Sequence, residues 1–198
     1  MKKKFIVLIM AWIALVTVSS ANVINIPDDY PTIQQGINAS YNGDTVLVKP
    51  GVYVENISFD GHSIVLGSLF LTTGIEAFIE QTIIDGDASG TVVTFESGED
   101  SSTMAIGFTI RNGYHTGGGA GIYLTNNSNP KIYNNIIKEN VVPGNLEYGG
   151  GIFSTGSQAH IKENIIEDNF ACWGGGIACY SSQLTIENNI IKNNVADP

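Results

Sequence analysis

Cationic side chains are scarce in this sequence. Six Lys and Arg follow residue 21, Arg111 being the single Arg, against 19 Asp and Glu, so residues 22–198 carry a formal charge of −13. A surface of that sign repels nucleic acid and anionic lipid. It suits Ca²⁺ or neutral sugars, and an anionic polysaccharide would need a bridging cation. Cysteine is equally sparse. Cys172 and Cys179 flank Trp-Gly-Gly-Gly-Ile-Ala, and no further Cys or His cluster accompanies them, which excludes a zinc site. They either close a short disulfide loop or pack as thiols. Strand geometry favours the second, with Cys179 inward two residues after Ile177. His62, His115 and His160 lie far apart in sequence. A surface imidazole accounts for each better than a shared metal does. No Ser/His/Asp arrangement, phosphate-binding loop or Gly-Gly-x-Gly-x-Asp repeat is present. No apolar run after residue 18 is long enough to span a bilayer.

The first residues have a separate logic. Lys2-Lys3-Lys4 is a basic start, Phe5 to Val18 an apolar run, and Ser19-Ser20-Ala21 a small-residue site. Residues 1–21 therefore read as a signal peptide cleaved after Ala21. With no Cys after the run, a lipid anchor is not indicated. The expected location is secreted, extracellular or cell-surface, the periplasm included, and there an oxidising environment permits disulfides.

What the chain has in quantity is repetition. Three times near its C-terminus a small-residue turn and Ile are followed by a lone Ile and then Asn-Ile-Ile-x-x-Asn. The openings end at Ile122, Ile152 and Ile177, the lone residues are Ile132, Ile161 and Ile186, and the closings begin at Asn135, Asn164 and Asn189. Opening positions 30 and then 25 residues apart mark a solenoid. Upstream, Asn22 to Ile26 reads as a strand. Ile33 and Ile37 have helical spacing behind Thr32 as N-cap. Val46/Val48 and Val52/Val54 alternate around Pro50-Gly51 as two strands joined by a corner. Ile64–Leu66, Ile83-Ile84, Val92–Phe95 and Phe108–Ile110 continue the series. Such short β-runs, with one early helix, predict an all-β solenoid over residues 22–198. Stacked coils would make parallel strands around an Ile/Val core. Asn at equivalent turns would take left-handed backbone and ladder its amide from coil to coil. The helix near residue 35 would cover the N-terminal edge. No cap follows residues 189–194, so further domains of a longer chain are expected beyond Pro198, the alternative being a partner stacked on the open end. Ile165, in the second closing motif, is expected in or beside the core.

These residues resemble the right-handed parallel β-helix superfamily, the pectin-lyase-like group. Pro31-Thr32-Ile33-Gln34-Gln35-Gly36-Ile37 through Asp44-Thr45-Val46 to Val54-Glu55 resembles the opening of pectin methylesterases and bacterial β-helix surface proteins. The Asn-rich coils resemble periplasmic copper-site-assembly and carbohydrate-processing β-helices. The resemblance implies the right-handed coil and a polysaccharide-related role. It does not extend to the chemistry. The catalytic segments of the methylesterases are missing, which leaves Glu55 to the early turn structure. A lyase would need Arg111 aligned with carboxylates such as Asp85, Asp87 or Asp168. Asp28-Asp29, the one Asp pair, suits surface or capping better than glycosidase chemistry.

The positional signal is stronger. Gly113–Gly118, Val141–Tyr148 and Phe170–Trp173 enter between a closing Asn and the next Gly turn, and loops so placed emerge on one face of a solenoid. They carry Tyr114, Tyr148 and Trp173, while Tyr123 and Phe153 follow the opening Ile and should face outward. Together with Glu147 these rings form a candidate glycan-binding strip; packing over the turn backbone is the alternative. The expected role is a carbohydrate-binding or adhesive scaffold. Its rivals are a polysaccharide lyase or esterase and a structural spacer. No cofactor is evident, with Ca²⁺ the candidate cation, and no catalytic set can be named.

Overall fold

The structure, a computed structural model, describes residues 20–145 and 147–197. The proposed signal peptide, apart from Ser20 and Ala21, lies outside the described residues. The chain winds as a parallel solenoid with three sheet faces per coil. One face joins, in order, β1 (Val23–Ile26), β2 (Thr45–Val48), β5 (Val65–Ser68), β8 (Met104–Ile106), β11 (Lys131–Tyr133), β14 (Gln158–Lys162) and β18 (Gln183–Glu187). The second joins β3 (Gly51–Val54), β6 (Thr82–Asp85), β9 (Thr109–Arg111), β12 (Ile136–Lys138), β15 (Ile165–Glu167) and β19 (Ile190–Lys192). The third joins β4 (Ile57–Ser58), β7 (Val93–Phe95), β10 (Ile122–Leu124), β13 (Ile152–Thr155) and β17 (Ile177–Tyr180), and β16 (Phe170–Ala171) pairs β20 (Val195–Ala196).

The repeat sets the register. Ile122, Ile152 and Ile177 are partners across β10, β13 and β17. Ile132, Ile161 and Ile186 are partners across β11, β14 and β18. In β9, β12 and β15 the middle residue points inward, so Ile110, Ile137 and Ile166 are fully buried while Ile165 is half-buried on the outer side. Ile166, not Ile165, is therefore the core residue of that closing motif. The same alternation corrects the reading of β3: Tyr53 is buried, and Val52 and Val54 are exposed.

The turns divide two tasks that the sequence merged. Left-handed backbone falls on the residue before each laddering Asn, at Asn134, Glu163 and Asn188 and again at Glu139, Asp168 and Asn193. The next residue, with ordinary backbone, turns its amide into the stack. Asn135 donates to Asn164 Oδ1 at 3.2 Å and Asn164 to Asn189 Oδ1 at 2.9 Å. A second ladder runs from Asn140 to Asn169 and Asn194 at 2.9 Å per step. Each Nδ2 also caps a carbonyl of the coil before, so the buried amides are satisfied internally. The Gly turns are similarly specialised. Gly119, Gly149 and Gly174 have positive φ, and a Cβ on Gly150 would strike the carbonyl oxygen of Phe170.

At the N-terminal end α1 (Ile33–Ala39) buries Ile33 and Ile37 against the core, and Thr32 Oγ1 accepts from Gln35 N at 3.2 Å. Glu55 completes this cap. Its two carboxylate oxygens accept from the amides of Ile33 and Gln34 at 2.9 and 3.0 Å. Two further helices were not foreseen. Residues between β5 and β6 form α2 (Phe70–Thr73) and α3 (Ala77–Gln81). They are too short to show helical periodicity and bury no residue fully.

Cys172 and Cys179 are both free thiols. The expectation that Cys179 packs inside does not hold. It holds an inward register position opposite Ser154, yet it is exposed because it sits in the last described coil, and Cys172 is the buried one.

Candidate functional site

Three surfaces have the makings of a site. The first is the predicted aromatic strip. Tyr123 and Phe153 are register partners on the outer side of β10 and β13, and their rings stack with centroids 5.8 Å apart. Tyr148 stacks on Phe153 at 5.5 Å. Trp173 lies one coil on from Tyr148, joined to it by a parallel backbone bridge. Phe153 is 8% exposed, so it holds its neighbours and has little face of its own to offer. Tyr148 and Trp173 are 41% and 46% exposed and present free ring surface. Glu147 is half-buried, and its backbone carbonyl accepts from Trp173 N at 3.0 Å. Tyr114 does not join them. It sits in another column, bridged to Gly90 and Val141.

The second surface is a groove of about 540 Å³ at the corner between the first and second faces. Its floor is Ile136, Ile165 and Ile190, register partners on three successive coils. The corner residues Asn134, Glu163 and Asn188 form one rim. The α2–α3 insertion forms the opposite wall through Phe70, Ile79, Glu76 and Glu80. The insertion is tied down where Thr109 Oγ1 donates to the Ile79 carbonyl at 2.9 Å.

The third is a charged column on the second face, where Asp85, Arg111, Lys138, Glu167 and Lys192 stand in register. Arg111 Nε meets Asp85 Oδ2 at 2.8 Å, and Lys192 Nζ meets Glu167 at 2.9 Å. Burial disfavours the charged Asp85, but the Asp87 amide, Asn112 and Arg111 outweigh it and hold the carboxyl below its ordinary value. Arg111 is thus committed to a structural ion pair rather than standing free beside a turn.

The profile of the family described as "Right handed beta helix region" matches residues 16–197. This chain belongs to that family. No curated protein and no solved structure matches it. The β-helix membership fixes architecture and leaves activity to the surface residues.

One cluster on this β-helix escaped sequence reasoning. On the outer side of β11, β14 and β18, Tyr133 Oη lies 2.6 Å from His160 Nδ1, and His160 Nε2 lies 3.1 Å from Glu187 Oε2. Burial pushes the Tyr133 phenol above its ordinary value, with Lys162 opposing. The strand period was the available signal, because Tyr133, Lys162 and Glu187 are register partners one residue after a lone Ile. His62 and His115 lie on other parts of the β-helix, beside Ser40 and in the 113–118 loop. Asp28 pairs with Lys49, and Asp29 caps the Asn25 amide. Among the described residues no three metal-ligating side chains converge, and no helix is long and apolar enough to cross a membrane.

Proposed function

We propose that the protein is a secreted or cell-surface scaffold that binds an extended polysaccharide, with Tyr148 and Trp173 as the contact rings and Tyr123 and Phe153 as their support. The observation that carries this reading is the exposure of Tyr148 and Trp173 at bridged positions on successive coils, with Tyr148 braced by the Phe153 stack. Coils repeat at about 4.8 Å, close to the advance per residue of an extended 1,4-linked glycan. Tyr148 and Trp173 stand at bridged backbone positions on neighbouring coils, from which exposed rings can reach neighbouring sugars, whose apolar faces suit aromatic platforms. The half-buried Glu147 side chain supplies a polar partner at the edge. The formal charge of −13 favours a neutral glycan, or an anionic one bridged by Ca²⁺.

Affinity electrophoresis and a glycan array, each with and without Ca²⁺, test the reading. The double substitution Tyr148→Ala/Trp173→Ala should weaken retention roughly tenfold or more with the circular dichroism spectrum unchanged. Equal retention by the variant would remove the ledge as the binding surface. Turnover of a polysaccharide would instead support the enzyme reading and direct the search to Tyr133, His160 and Glu187.

A further inference from the structure

We propose that the second face is a self-association surface, on which a second copy of this chain docks with its solenoid axis reversed. The aromatic ledge lies beside the third face, so the proposal does not depend on the ledge reading. The outer side of the second face consists of two columns. Val52, Ile83, Thr109, Ile136, Ile165 and Ile190 form one, and Asp85, Arg111, Lys138, Glu167 and Lys192 form the other. The α2–α3 insertion covers only the first part of the apolar column. Thr109, which donates to Ile79 of the insertion, is 3% exposed, whereas Ile190 on the last coil is 55% exposed. The insertion is therefore a step, and Ile136, Ile165 and Ile190 are the bare floor beyond it. A two-fold axis lying along β12, between the two copies, reverses the order of the coils and sets each column over its own counterpart. It carries the partner's insertion from the early coils to the late ones, onto that floor. Step and floor are thus self-complementary, as an isologous interface requires.

The charges select this occupant and this register. With the axis at Lys138, Arg111 faces the partner's Glu167 and Lys192 comes over the partner's Asp85. Asp85 is 6% exposed, so it acts through its charge and not through a new bond. Each chain's own pairs, Arg111–Asp85 and Lys192–Glu167, then lie antiparallel across the interface. Only Lys138 meets its own kind, and its charge is already offset by Glu139 at 3.2 Å and by Glu80 in the adjoining hollow. Sliding the partner by one coil in one direction sets Arg111 against the partner's Lys138 and Asp85 against the partner's Glu167. Sliding it the other way sets Arg111 against the partner's Lys192. Like charges across an interface are penalised, so the column fixes the register. It also holds three of the six Lys and Arg of residues 22–198. Two chains of formal charge −13 repel each other, and on this face that repulsion is locally offset.

Sedimentation velocity of the whole protein, from about 1 μM to about 1 mM, tests the proposal by reading the monomer–dimer equilibrium. A reversible dimer should appear within that range. The double substitution Glu167→Lys/Lys192→Glu is the decisive variant. It preserves the net charge and each chain's own ion pair, but it turns both contacts across the two-fold into like-charge ones. It should weaken the dimer at least about tenfold with the circular dichroism spectrum unchanged. Ile165→Asp, on the bare floor, should weaken it to a similar degree. Tyr148→Ala/Trp173→Ala should leave the dimer intact, which separates failure of this surface from failure of the ledge. A chain that stays monomeric throughout would overturn the proposal. So would a dimer indifferent to the charge exchange or to Ile165→Asp, or one lost with the ledge rings, because the contact would then lie elsewhere.

Discussion

Asn164 is 1% exposed and makes more of the fold than its size suggests. Its Oδ1 accepts from the backbone amide of Asn135 at 2.9 Å, and its Nδ2 donates to the carbonyl of Ile132 at 2.7 Å and to Asn189 at 2.9 Å. Truncation leaves buried groups on both neighbouring coils without partners, and a single unsatisfied group costs about 1–3 kcal/mol. Asn164→Ala should therefore lower stability by about 3 kcal/mol, read as a shift in the urea midpoint. Asn194→Ala, at the more exposed end of its ladder, should cost less. The adjacent Ile pair gives a sharper contrast. Ile166→Asp puts a carboxylate into a fully buried position and should abolish folding. Ile165→Asp alters only the outer groove and should leave the circular dichroism spectrum native. Equal damage from both would mean that the strand faces the other way.

Among the elements, α1 and the α2–α3 insertion differ in how they are held. Helix α1 has an apolar stripe, a Thr cap and the Glu55 carboxylate on its first amides. Glu55→Ala should destabilise the protein by about 2 kcal/mol, since two charge-assisted bonds at a helix N-terminus are lost. Chemical denaturation of the variant checks this, and a change below about 0.5 kcal/mol, the ordinary range for surface substitutions, would deny Glu55 a capping role. The stripe and cap made α1 legible in sequence. The insertion carried no comparable signal. Its residues Phe70–Gln81 lack a buried face of their own, and they are helical because β5 and β9 offer them somewhere to pack.

At the scale of the whole molecule, carboxylates dominate the charge, and three have pKa values held below the ordinary one. Asp44 is held down by the amides of Asn22 and Tyr41, and Asp100 by the Ser102 hydroxyl and amide. Asp85 is lowered by its Asp87, Asn112 and Arg111 partners against the effect of burial. A carboxylate with a lowered folded-state value contributes stability that is present above its unfolded value, near 3.9, and is lost as pH falls through the folded one. The thermal midpoint should accordingly drop as pH goes below about 4, and Asp85→Asn should make that acid slope shallower. An unchanged slope would place the acid sensitivity in other groups. The sequence determined the coil and its register, because Ile122/152/177, Ile132/161/186 and the paired Asn residues are one pattern repeated, and only stacking in step buries all of them. It also named the rings that would face outward, because strand period fixes the face of Tyr123 and Phe153. Tertiary structure alone decided which rings meet, separating Tyr114 from Tyr148 and Trp173, and it decided the groove and the Tyr133–His160–Glu187 cluster. Those depend on side chains from different coils, whose distances follow from the winding of the chain and from the place where an insertion folds back, neither of which any local pattern encodes.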